Sequence, residues 1–137
     1  MLVPKRTKFR RFQKNLQDQK QKNQSFLTYG EFGIVCLQAG YFRAKTIEAL
    51  RRTLTKTFNR NGKIWLKVFP QISITRKPAE VRMGRGKGAP QFWVAKITAG
   101  QILFEVSGVS EELMIQAYTL IDKKIFCATK VVRRNGF

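Results

Sequence analysis

The sequence predicts one small domain of mixed helices and strands preceded by a basic extension, and three observations lead there. Residues 44–60 and the run from Ser110 place apolar side chains at spacings of three and four, the pattern of a helix with one buried face. Several short runs instead alternate apolar and polar residues, or gather β-branched and aromatic ones between glycine and proline breaks, as strands do. The chain has 137 residues, 43% of them hydrophobic, which is one domain's worth and enough for a real core.

Residues 1–25 form the extension, in which eight basic residues stand against Asp18 alone. Phe9 and Phe12 lie interleaved among Lys8, Arg10 and Arg11. So few apolar positions cannot order the segment by burial, whereas cations interleaved with aromatics suit ordering against nucleic acid. Gln17 to Gln24 reads as a variable spacer. The domain then occupies residues 26–137. Phe26 to Leu37 reads as a strand, with Gly30 and Gly33 marking an irregularity, and a turn at Gln38-Ala39-Gly40 follows. The helix over 44–60 turns Ile47, Leu50, Leu54 and Phe58 inward and carries Lys45, Arg51, Arg52, Lys56 and Arg60 on its other faces. Arg43 is a poor N-cap, and Asn61-Gly62 is expected to close the helix. Lys63 to Phe69 alternates Ile64, Leu66 and Val68 against Trp65, Lys67 and Phe69, a strand that Pro70 breaks. Ile72 and Ile74 begin another short strand.

The stretch 76–90, RKPAEVRMGRGKGAP, is a glycine-rich basic loop. Arg76, Lys77, Arg82, Arg85 and Lys87 are opposed only by Glu80. Gly84, Gly86 and Gly88 spoil both helix and central strand, because glycine loses the most backbone entropy on ordering. They let a backbone approach another surface closely while Arg85 and Lys87 neutralise it, which suits folded RNA. Nucleotide-binding loops are excluded by spacing. A P-loop needs GxxxxGK and then Ser or Thr, and the dinucleotide fingerprint needs GxGxxG, whereas GxGxG here runs into Ala89-Pro90.

After the loop, Gln91 to Thr98 and Gln101 to Ser107 flank Ala99-Gly100, which predicts a hairpin with Ile102, Phe104 and Val106 on one face. Ser110 is a good N-cap for a second helix, with Glu111 and Glu112 at its positive end and Lys123 and Lys124 at its negative end. Leu113, Met114, Ala117, Leu120 and Ile121 form its expected buried stripe. Ile125 to Val132 is a final strand, and Arg133-Arg134 follows it.

Charge narrows the function. Twenty-seven Lys and Arg oppose 8 Asp and Glu, a net +19, so a polyanionic partner is the natural counterion. Residues 91–122 hold Lys96 against Glu105, Glu111, Glu112 and Asp122, a net −3, and are expected to face away from that partner. An anionic membrane would call for one strongly amphipathic helix, and no run approaches a membrane span, so no membrane partner is expected. The basic N-terminus lacks the apolar segment of a secretory signal. There is no histidine, the acids offer no metal cage, and no catalytic constellation is visible, so the sequence reads as no enzyme, with no metal, no cofactor and no small-molecule substrate. Cys36 and Cys127 each sit in an apolar run and read as buried thiols, with a disulfide left open.

Four blocks in register carry a resemblance: the opening MLVPKRTKFRR, the strand NGKIWLKVFP, the loop ITRKPAEVRMGRGKG and the run GQILFEVSGVSEEL. Together they resemble the bacterial-type ribosomal large-subunit protein sixteen family over nearly the whole chain, and VRMGRGKG is specific. The resemblance implies an α+β sandwich, two helices packed on a mainly antiparallel sheet. It implies a structural constituent of the large ribosomal subunit that binds large-subunit rRNA near the peptidyl-transferase centre and helps position aminoacyl-tRNA. Implied rRNA contacts are Lys5, Arg6, Lys8, Arg10 and Arg11, with Arg51, Arg52 and Arg60 as candidates. Arg82, Met83, Gly84, Arg85, Gly86, Lys87 and Gly88 would form the tRNA-proximal loop. Partners would be rRNA, tRNA and neighbouring large-subunit proteins; an RNA-binding ribosome assembly factor is the alternative. The polar stretch Asn15 to Gln24 and the added cation Lys77 depart from the family's usual pattern. VRMGRGKG and GQILFE are most similar to organelle-encoded members, which points to the mitochondrial ribosome, with the bacterial cytoplasm and plastid stroma as alternatives.

Overall fold

Seven strands and two helices make up the described residues, 2–14 and 26–134, of a computed structural model. The expected spacer Gln17 to Gln24 lies outside them. In chain order the elements are β1 (Phe32–Cys36), β2 (Gly40–Arg43), α1 (Ala44–Thr57), β3 (Lys63–Leu66), β4 (Ile72–Arg76), β5 (Ala89–Ile97), β6 (Ile102–Ser107), α2 (Glu111–Asp122) and β7 (Thr129–Arg133). The fold is α+β. Its strands pair antiparallel in two sheets, one ordered β3-β6-β1-β7 and the other β2-β5-β4.

One core joins the helices to both sheets. Ile47, Leu50 and Leu54 of α1 meet Met114, Ala117 and Ile121 of α2, Ile34 and Phe104 of the larger sheet, and Phe42, Ala95 and Ile97 of the smaller. The helical periodicity thus matches the buried face of α1, whose N-cap Arg43 makes no side-chain cap bond. Its end differs from expectation. The helix stops at Thr57, and Asn59 and Arg60 take left-handed φ values of 50° and 64°. Gly62 is needed later, where a Cβ would stand 2.6 Å from the Ser107 carbonyl oxygen and close off the approach of β3 to β6.

Four further expectations are corrected. The segment 91–107 is no hairpin: β5 and β6 belong to different sheets, and the turn at Gly100 (φ 88°) hands the chain from one to the other. Local turn chemistry favours pairing, but tertiary packing gives each strand longer-range partners. A bulge opposite Ile34 and Val35 leaves Leu103 without a partner on β1, although its carbonyl accepts the Lys67 N–H; Leu103 joins the main core and Ile102 lies in a second cluster with Leu27 and Val35. Residues 26–31 are not continuous with the strand that starts at Phe32, and β2 follows directly where only a turn was expected. On α2 the buried stripe narrows to Met114, Ala117 and Ile121, and Leu113 and Leu120 are exposed. Ser110 caps this helix as expected, its Oγ accepting from the Leu113 N–H at 3.4 Å.

The irregular segment before β1 is held by a buried charge. Glu105 of β6 is fully buried, and its Oε2 accepts the N–H groups of Thr28, Tyr29 and Gly30 at 3.1, 2.7 and 2.9 Å. Its Oε1 lies 3.2 Å from the Lys67 ammonium, which also sits over the Tyr29 ring. Burial pushes this carboxyl up, but the three backbone donors and Lys67 outweigh it and hold the group below the usual 4.5. Cys36 and Cys127 are free, buried thiols with sulfurs 3.0 Å apart, and burial together with the neighbouring Cys36 pushes Cys127 up to about 12. No helix among the described residues is long and apolar enough to cross a membrane.

Candidate nucleic-acid interface

The glycine-rich stretch is the connection between two paired strands, so it projects as an arm from the smaller sheet rather than hanging from a loose loop. β4 ends at Arg76 and β5 begins at Ala89, and these two residues pair. Residues 78–87 are exposed throughout, and Met83 is 102% exposed, an apolar side chain wholly in solvent. At the tip Gly84, Arg85 and Gly86 have φ values of 108°, 57° and 83°. A Cβ at Gly84 or Gly86 would meet nothing within 4 Å. Gly88 differs: its Cβ would stand 2.7 Å from the Arg76 carbonyl oxygen, so this glycine closes the base of the arm. Lys77 reaches from the base to the Gly84 carbonyl at the tip, at 2.6 Å.

Residues 2–14 lie against the same arm and sheet. Lys87 donates to the Phe12 carbonyl, and Ser73 of β4 donates to the Arg10 carbonyl. Pro4, Lys5, Arg6 and Arg10 line a cleft of about 650 Å³ with Ala89, Pro90 and Trp93. Composition gives little reason for this docking, because the segment has few apolar residues; Leu2 packs against the main core, and the backbone carbonyls of Arg10 and Phe12, which no composition reveals, supply the polar contacts. Lys5, Arg6, Lys8, Arg10 and Arg11 all remain exposed, as do Arg82, Arg85 and Lys87, and the two segments that carry them meet where Lys87 bonds to Phe12. Arg82 and Arg85 hold no hydrogen bond or ion pair among the described residues.

The helical candidates stand apart. Arg51 and Arg52 both pair with Glu48, at 2.6 and 3.2 Å, so part of their charge is compensated within the helix. The bond from Arg51 lowers the Glu48 carboxyl to about 2, and the same bond raises Arg51. Arg60 is exposed just beyond the helix. No hydrogen bond or ion pair among the described residues ties these three to the arm or to residues 2–14. Instead Arg52 shares a cleft with Lys45, Lys56 and Lys124, the last bonded to Thr53 at 2.7 Å. By sequence Lys124 is only a charge at a helix end.

The acidic stretch does not act as one block. β5 carries the arm and belongs to the cationic side, contrary to the expectation that 91–122 faces away as a unit. Glu105 is interior, which leaves Glu111, Glu112 and Asp122 as exposed acids on α2, and Glu111 is paired with Arg133 at 3.0 Å.

Similarity to known proteins extends over this whole arrangement. The family model described as ribosomal protein L16p/L10e matches residues 4–132. A protein of Prototheca wickerhamii named large ribosomal subunit protein uL16m is 52% identical over 132 residues, which is 96% of this chain and 98% of that one. Proteins named large ribosomal subunit protein uL16 are 44% identical in Leptospira biflexa, over 98% of both chains, and 45% identical in Paramagnetospirillum magneticum, over 99% of both.

Proposed function

The chain belongs to the ribosomal protein L16p/L10e family, and on that premise we propose that it binds large-subunit rRNA near the peptidyl-transferase centre and helps position aminoacyl-tRNA. The observation that carries this reading is the union of two cationic segments: residues 2–14 run along the smaller sheet and meet the arm where Lys87 bonds to Phe12. Phosphates are bound by such surfaces through neutralisation and release of counterions. In this reading Lys5, Arg6, Lys8, Arg10 and Arg11 contact rRNA, and Arg51, Arg52 and Arg60 add contacts from the helix. The arm, with Arg82, Met83, Gly84, Arg85, Gly86, Lys87 and Gly88, reaches the tRNA. Its open glycines support that role, because the side of Gly84 and Gly86 where a Cβ would stand faces nothing of the chain and is free to lie against another molecule.

The protein would stiffen and position RNA rather than carry out chemistry, with neighbouring large-subunit proteins as further partners. The relative named uL16m supports a mitochondrial ribosome, and the bacterial relatives keep bacterial cytoplasm and plastid stroma as the other settings. Sedimentation of native particles tests the reading. The protein should travel with mature large subunits in stoichiometric amount. Its presence in immature particles alone would make it an assembly factor, and its absence from intact subunits would overturn the reading.

A further inference from the structure

β2 pairs with β5 only from Val94 to Ile97, because the chain leaves the sheet at Arg43 to enter α1. β5 continues outward to Ala89 without a strand on that side, and the vacated edge is a cleft of about 480 Å³. Its walls are unusual in composition. Arg43, Lys45 and Arg76 bring three cations from three different elements, and no acidic residue lines it. Phe92 and Trp93 supply half-buried aromatic surface, and Val3 of the N-terminal segment closes one side. The Arg43 guanidinium is already stacked over Phe92, 4.6 Å from the ring centroid, so cation and ring are held together before any ligand arrives.

We propose that this cleft receives one unpaired nucleotide of an RNA strand, its base against Trp93 and its phosphates between Arg43, Lys45 and Arg76, while Phe92 on the opposite face of β5 holds the Arg43 guanidinium in place. The proposal rests on the RNA-binding reading above and adds a recognition mode to it. Cations alone would track any phosphate backbone, paired or not. An aromatic wall inside a cleft of this size takes a base only when that base is free of its duplex, and stacking of unpaired bases on aromatic side chains is how proteins select single-stranded RNA. The open edge of β5 could instead accept an added peptide strand, but three uncompensated cations around it favour a phosphodiester over a peptide.

Replacing Trp65 with Phe in the full chain leaves Trp93 as the sole tryptophan and hence a fluorescent reporter of the cleft. Three probes are titrated: a short single-stranded RNA, a blunt duplex of equal length, and an acidic peptide. Binding is read separately by anisotropy of the labelled probe. The single strand should quench Trp93, and the duplex should bind without quenching. Arg43→Ala and Arg76→Gln, each checked for a native circular dichroism spectrum, should weaken single-strand binding severalfold and duplex binding by clearly less, because only the single strand seats a phosphate inside the cleft; an equal loss for both RNAs would overturn the slot. Binding of both RNAs with no quenching would overturn the slot and keep the RNA-binding reading. Equal quenching by duplex, or preferential quenching by the peptide, would also overturn it. Failure of both RNAs to bind would remove the reading beneath it.

Discussion

The segment at 28–30 and the arm at 77–88 are both irregular and both depend on glycine, for opposite reasons. At Gly30 a Cβ would stand 2.8 Å from the backbone nitrogen and oxygen of Val106, and at Gly33 it would press 2.3 Å against a Leu27 methyl. These glycines exist because their own chain is in the way. At Gly84 and Gly86 the same atom would meet nothing within 4 Å. The charges divide likewise: Glu105 at the first site is wholly internal and bonded to three backbone donors, whereas Arg82 and Arg85 on the arm are exposed. One region commits its special residues to the fold; the other does so only at Gly88, Lys77 and Lys87 and leaves the rest of its tip in solvent.

The contrast between the two regions breaks most sharply at Glu105. Glu105→Gln removes an internal charge that accepts three N–H groups and pairs with Lys67, and should cost on the order of 3 kcal/mol in denaturant unfolding. Because the folded carboxyl titrates below 4.5, its contribution is complete above that pH and disappears as pH falls through the lowered value. The wild-type protein should therefore lose stability on acidification more steeply than the variant. A variant of unchanged stability would show that the clamp is incidental.

Gly30→Ala should follow, at about 2 kcal/mol, since the new methyl must displace Val106 backbone. Gly84→Ala, measured beside it, should cost less, about 1 to 1.5 kcal/mol, from the strain of its positive φ alone without any Cβ contact. Equal destabilisation at the two positions would erase the distinction between them. The paired change Arg82→Ala with Arg85→Ala should leave unfolding within about 0.5 kcal/mol of the parent. Its effect belongs to binding, where each phosphate no longer neutralised should flatten the salt dependence of affinity by roughly 0.7 to 0.9 logarithmic units. The smallest effect is expected at Glu48. Glu48→Gln frees Arg51 and Arg52, costing the helix about 0.5 kcal/mol and raising RNA affinity slightly if those arginines face phosphate.

What is legible in the sequence is local. The apolar spacings of α1, the Ser110 cap of α2 and the breaks around the arm are all set within a turn or a few residues. What is not legible depends on partners distant along the chain. The turn at Ala99-Gly100 carries a sound hairpin signal, yet β5 pairs with β2 and β4 while β6 pairs with β1 and β3. By sequence Glu105 belongs with the outward-facing acids, because nothing near it announces the three N–H groups, 75 to 77 residues away, that surround it. The pairing of Glu48 with Arg51 and Arg52 is legible in principle, since spacings of three and four meet on a helix, but a count of net charge passes over it. The cleft residues Arg43 and Trp93 escape for another reason. Arg43 stands out in sequence only as a weak cap, and its neighbours arrive from β4, β5 and the N-terminal segment.

The Glu105 clamp has a consequence for handling the protein. Concentrated salt screens exposed cations and loosens their hold on RNA, but it reaches poorly to a fully buried carboxylate held by three backbone donors. Washing particles with strong salt should thus release this protein with its architecture undamaged, ready to be added back and to reassemble.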